Sequence, residues 1–179
     1  MSLKMKRLEL LRFGRYIPIV SLCILSMSII SIPVFAQQMS FTASLSGQSL
    51  TPPVSTTATG TAKFNVDAEG NMAYQIDVKN IKGVIGAHIS LQNGTDLAQV
   101  FNPYIEIAGK SEIPTGEVNG PLSKGVLTTN DLSGTLIGKN VTDLANLMNS
   151  GSVYVVVRTI SNENGQIQGQ ITSTNTTGK

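Results

Sequence analysis

The chain has 179 residues, with 13 Lys and Arg against 11 Asp and Glu, one His and one Cys. That length suits a single domain with its own core. So small a charge excess, with aromatics at 5%, excludes the basic, aromatic-studded surface that nucleic-acid binding demands.

The first segment is read as a leader. Lys4, Lys6, Arg7, Arg12 and Arg15 precede an uncharged apolar run from Tyr16 to Phe35, which ends in Val34-Phe35-Ala36. A basic flank, an apolar stretch and a small residue at the cut make a secretory signal peptide at 1–36, cleaved after Ala36. The run is about twenty residues, enough to cross a bilayer, so an uncleaved N-terminal membrane anchor is the alternative. Either way residues 37–179 are exported, and the protein is secreted or held at the cell surface, touching membrane only through 1–36. Cys23 follows Leu22, with no small residue just before it, so lipid attachment is not expected.

The leader carries five of the 13 basic residues and one of the 11 acidic ones, leaving eight against ten and a net charge of −2 beyond it. No cysteine remains there, so export is not used for disulfides. Asn93-Gly-Thr, Asn140-Val-Thr and Asn175-Thr-Thr are N-glycosylation acceptors in a host that modifies exported proteins.

Beyond the leader the periodicity is that of short strands. Phe41, Ala43 and Leu45 alternate with polar neighbours over Met39–Leu45. Ser46–Gly60 holds Pro52-Pro53 and is an extended connection. Ala62, Phe64 and Val66, the turn Asp67–Asn71, and Tyr74, Ile76 and Val78 form a β-hairpin. A strand at Val84–Leu91 closes at Asn93-Gly94, and another is expected over Gln99–Ile107, weakened by Pro103. Asn119-Gly120 marks a turn before a strand at Gly125–Thr128. Thr142 is expected to cap one short helix, with Leu144, Leu147 and Met148 on one face and Gly151 at its end. Val153–Thr159 and Gln166–Thr172 make a last hairpin around Asn162–Gly165, with a polar tail over 174–179. Short alternating strands with one brief helix specify an all-β antiparallel sandwich or barrel in one domain, 37–173.

These residues resemble the CHRD domain family, first named in chordin. The resemblance is carried by Phe41-Thr-Ala-Ser-Leu-Ser-Gly47, Pro52-Pro53-Val54, Thr57-Ala-Thr-Gly60-Thr-Ala62, the Tyr74 strand, Gly86-Ala-His88-Ile89, Gly125-Val-Leu-Thr128 with Asp131-Leu132, and Tyr154 through Ile171. It implies an antiparallel Greek-key β-sandwich like the copper/zinc superoxide dismutase architecture, and no activity follows from that likeness. The departures are informative. The family usually has His-Ile-His where this chain has His88-Ile89-Ser90, a histidine where this chain has Arg158, and an arginine at the position of Gln168.

The candidate ligand-binding residues are His88, Ser90 and Arg158. Two histidines at i and i+2 with a third from a neighbouring strand would suit a transition metal, which needs three or four nitrogen or sulfur ligands. This chain has one histidine, and Arg158 repels a cation, so neither a metal nor another cofactor is expected. The expected role of His88 and Arg158 is structural, held by backbone or a carboxylate. Arg158 can also stand in electrostatically for a cation, or leave an anion-binding notch with His88 and Ser90. Ser90 and His88 lie about 7 Å apart along one strand, too far for a nucleophile and its base. Asp67-x-Glu69-Gly-Asn71 is turn chemistry in preference to a calcium loop, Glu112 and Glu117 form no acid–base pair, and Met39, Met72 and Met148 are core filler.

The expected function is therefore a non-enzymatic cell-envelope or extracellular module that binds an unknown protein or glycan. The alternative is a metal-binding or dismutase-like redox protein with a degenerate histidine site. A further possibility is a packing unit of a surface layer.

Overall fold

The computed structural model describes residues 39–103, 105–107, 110–112 and 116–174. All fall in the compact unit Ala36–Lys179. The leader at 1–36, Cys23, Asn175 and the tail beyond 174 lie outside the described residues.

Over the described residues the fold is all-β and antiparallel with one short α-helix. In chain order the strands are β1 (Met39–Ser46), β2 (Thr59–Val66), β3 (Met72–Lys82), β4 (Val84–Leu91), β5 (Asp96–Phe101), β6 (Ile105–Ile107), β7 (Lys110–Glu112), β8 (Glu117–Leu127), β9 (Val153–Thr159), β10 (Asn162–Gln170) and β11 (Thr172–Ser173), with α1 at Val141–Asn149. The hydrogen-bonded order is β5-β4-β9-β10-β1-β2-β3-β8, with β11 beside β1 and β6-β7 a separate hairpin.

The connections are those of a Greek key. β1, β2 and β3 run as a meander, but β4 pairs with β9 instead of β3. A single residue, Gly83, carries the chain from one half of the sheet to the other. Its φ of 59° is open to glycine at no steric cost, and its carbonyl accepts the Ile160 N–H at 2.9 Å. The two halves join through β1 and β10, where Ser46 stands opposite Gln168.

On the far side the sheet nearly closes. The Ser123 hydroxyl of β8 and the Tyr74 phenol of β3 both donate to the Val100 carbonyl of β5, at 2.6 and 3.0 Å. The β5 edge is further covered by the Ser133 N–H on the Leu97 carbonyl at 2.7 Å. Side chains thus do at this seam what ladder bonds do elsewhere, and a strand edge is shielded.

Alternation places Phe41, Phe64, Ile76, Ile89, Val155 and Ile167 in one buried core. Met72 and Met148 belong to it, as expected of filler. α1 buries Val141, Leu144, Ala145 and Met148 along one stripe.

Several boundaries differ from the sequence reading. β5 ends at Phe101, two residues before Pro103, and starts at Asp96, three before Gln99, because the turn after Leu91 is short enough to re-pair at once. Asn119-Gly120 is not a turn. It lies inside β8, facing a bulge in β3 where Lys79 and Asn80 together oppose Asn119, whose side chain accepts the N–H of Asn80 at 2.8 Å. The helix is capped by Asn140, not Thr142: Asn140 Oδ1 accepts from the Asp143 N–H while the Asp143 carboxylate accepts from the Asn140 N–H. The last hairpin turns at Ile160-Ser161, and residues 162–167 form an irregular start to β10. The Asp67–Asn71 segment is a hairpin turn, with the Asp67 carboxylate accepting the Asn71 N–H at 2.8 Å.

Candidate functional site

The outer face of β4 and β9 carries the polar side chains that alternation pushes away from the core. Gly86, His88 and Ser90 lie opposite Arg158, Val156 and Tyr154 respectively. The β4–β5 hairpin then sets Asp96 directly opposite Ser90. His88, Ser90 and Arg158 therefore do converge, and they converge on a carboxylate that the sequence reading did not single out.

Asp96 is the centre of the cluster. Arg158 Nη1 donates to Oδ2 at 3.0 Å and Nη2 to Oδ1 at 2.9 Å, a two-pronged guanidinium–carboxylate pair. The Ser90 hydroxyl, fully buried, donates to Oδ1 at 2.6 Å. His88 Nδ1 stands 3.4 Å from Oδ2. The ring can lie there because Gly86 has no side chain: a Cβ at that position would sit 2.9 Å from Nε2. The third Arg158 nitrogen, Nε, is buried and meets no acceptor among the described residues.

These contacts set the charge states. Burial by itself would raise the Asp96 carboxyl, but the hydrogen bonds from Ser90 and Arg158, with the charges of His88 and Arg158, hold it below its ordinary value. Burial lowers the His88 imidazole, Asp96 pulls it up and Arg158 pushes it down, leaving it below 6.5 and neutral at pH 7. The cluster is then one cation against one anion, with no net charge.

Its chemistry is correspondingly restricted. Arg158 gives one N–H of each Nη to Asp96, so the protein's own carboxylate already balances the charge that an anion-binding notch would offer. Ser90 Oγ is buried and bound to Asp96, without access to a substrate. A metal would find two donor side chains, His88 and Asp96, with the guanidinium across the carboxylate. No group of three His, Cys, Asp or Glu converges among the described residues. The donor set does not fit a transition metal.

Beside the cluster lies an open cleft of about 470 Å³. Tyr154, Val156 and Arg158 of β9 and Gln168 of β10 line it, between the segment 49–51 and the turn 91–94, with Asn164 also on its wall. The 49–51 segment is anchored by the Gly47 carbonyl, which accepts from Leu50 and Val54, and the following loop by Gln166 donating to Thr56 Oγ1 at 3.1 Å. Of the glycosylation candidates, Asn93 and Asn140 are exposed, Asn93 at the rim of the cleft.

A sequence model of the CHRD domain family matches residues 41–171. No curated protein and no solved structure matches the chain.

Proposed function

The chain belongs to the CHRD domain family, and on that premise we propose that it is an exported, non-enzymatic module of the cell envelope or extracellular space that acts by binding a protein or glycan. The observation that carries the reading is the self-neutralised cluster at Asp96. The groups that could have bound a metal, an anion or a reacting atom on this face are bonded to one another. What remains available is a neutral polar surface, which suits recognition better than chemistry. The basic, apolar and small-residue pattern of 1–36 supports export.

Capture from the envelope fraction with the protein as processed by its host tests this directly. A reproducible partner, retained after mild washing, is the expected result. Repeated capture returning nothing above background would overturn the reading. So would elemental analysis showing a tight, one-to-one copper, zinc or iron ion, which is the outcome the metal-handling alternative requires.

A further inference from the structure

We propose that the cleft along β9 is a binding site for a neutral, hydroxyl-rich saccharide chain. This rests on the reading of the chain as an interaction module and names the ligand class of one surface. Three features of the cleft select that chemistry.

The first is charge. Among the described residues that line the cleft, Arg158 is the one ionised side chain, and Asp96 balances it from behind. A polyanion would find no net attraction, and an acidic ligand would have to compete with Asp96 for a guanidinium already held at two points.

The second is the state of the main chain. β9 is paired on both sides, with β4 and with β10, so the ladder consumes its backbone donors and acceptors. An extended peptide binds a sheet chiefly by adding a strand at an edge, and no edge is presented here. Recognition at this surface must run through side chains.

The third is what those side chains are. Tyr154 offers a half-buried phenol ring, and Asn164 and Gln168 offer planar amides, each both donor and acceptor. The polar ends of these three side chains are bonded to no other described residue. An amide can donate to one sugar hydroxyl and accept from its neighbour, and an aromatic ring gives the apolar C–H face of a pyranose a surface to lie on. From Tyr154 to Arg158 the strand rises about 13 Å, the length of about two or three sugar rings.

With one aromatic platform, the affinity should be modest, a Kd on the order of 0.1–1 mM for a short oligosaccharide. The test uses the protein as its host processes it. A panel of neutral oligosaccharides (chitotetraose, maltotetraose, cellotetraose and a mannan fragment) is titrated by calorimetry and by amide chemical shifts. An acidic polygalacturonate fragment and an unrelated extended peptide library run alongside. The expected result is saturable binding of at least one neutral oligosaccharide, with shifts clustered at Tyr154, Asn164 and Gln168. Tyr154→Ala and Gln168→Ala should each weaken it at least about tenfold, a loss of about 1.4 kcal/mol, while melting stays near wild type. The proposal is overturned by saturable binding of the acidic fragment or a peptide alone, by binding that both variants leave intact, or by no binding of any neutral probe up to about 10 mM. If an envelope partner is captured while no neutral oligosaccharide binds, the module reading stands and the saccharide cleft falls.

Discussion

Replacing Asp96 by Asn removes one charge while keeping the shape of the side chain, and the cluster sets the cost. Three donor atoms converge on its two oxygens at 2.6, 2.9 and 3.0 Å. In the variant an NH₂ group must face a guanidinium nitrogen in either orientation, Nη1 alone or Nη2 together with the Ser90 hydroxyl, and Arg158 keeps its charge with no anion bonded to it. Breaking a fully buried pair costs about 3–5 kcal/mol, whereas an exposed one is worth less than about 1 kcal/mol. Asp96 and Arg158 are 32% and 25% exposed, so the loss falls between these limits, about 2 kcal/mol at pH 7. For a domain of this size that lowers Tm by about 6 °C. The pH dependence supplies an independent check. The folded carboxyl lies below its unfolded value of 3.8, so its contribution is complete above that value and is lost as the pH falls through the folded one. Thermal melts of wild type and Asp96→Asn should therefore be separated at pH 7 and converge in acid. A Tm difference below about 1 °C at neutral pH, or a gap that persists undiminished to pH about 2, would refute the assignment of Asp96 as the cluster's electrostatic centre.

The same face and the seam make further quantitative claims. His88 is held below 6.5 chiefly by burial, so the unfolded chain takes up its proton first as the pH falls; stability should be flat above about 6.5 and decline below it, and His88→Gln should flatten that decline in urea titrations. Gly86→Ala should cost about 1–2 kcal/mol by driving the imidazole off its seat, visible as a shifted His88 ring resonance together with a lower melting midpoint. The double variant Tyr74→Phe with Ser123→Ala leaves the Val100 carbonyl without its two donors, and hydrogen exchange in β5 should accelerate while the β1–β2 hairpin stays protected. Asn140→Ala removes one half of the capping box and should lower stability by about 1 kcal/mol in denaturant unfolding, whereas Thr142→Ala should change it by less than about 0.5.

How much of this was legible in the residues depends on the range over which each feature is determined. Strand β4 was readable end to end, because a two-residue alternation from Val84 to Leu91 is a local property and burial of one face enforces it. The helix cap was misassigned although its signal was present: Asn140 and Asp143 stand three apart, the spacing of a capping box, while Thr142 offered only a suitable residue type. Asn119-Gly120 misleads because the dipeptide that closes a hairpin can also sit inside a strand, facing a bulge in its neighbour. Only the partner strand, contributing Asn80 at a φ of 55°, decides between the two.

Asp96 illustrates the harder limit. Nothing in its neighbours marks it as special, and a strand expected to begin at Gln99 left it in a loop. Yet Asn93-Gly94 is itself a turn signal, and closing the hairpin tightly around it puts Ser90 and Asp96 face to face. Once they are paired, the substitution that looked like a loss acquires a reason. A chain with Ser90 and Arg158 where its family usually has histidines holds an arginine's charge on this sheet, and Asp96 is the carboxylate that makes such a charge tolerable at partial burial. The cluster and the cleft are then linked: neutralising the face internally leaves Tyr154, Asn164 and Gln168 as the polar groups that the cleft presents.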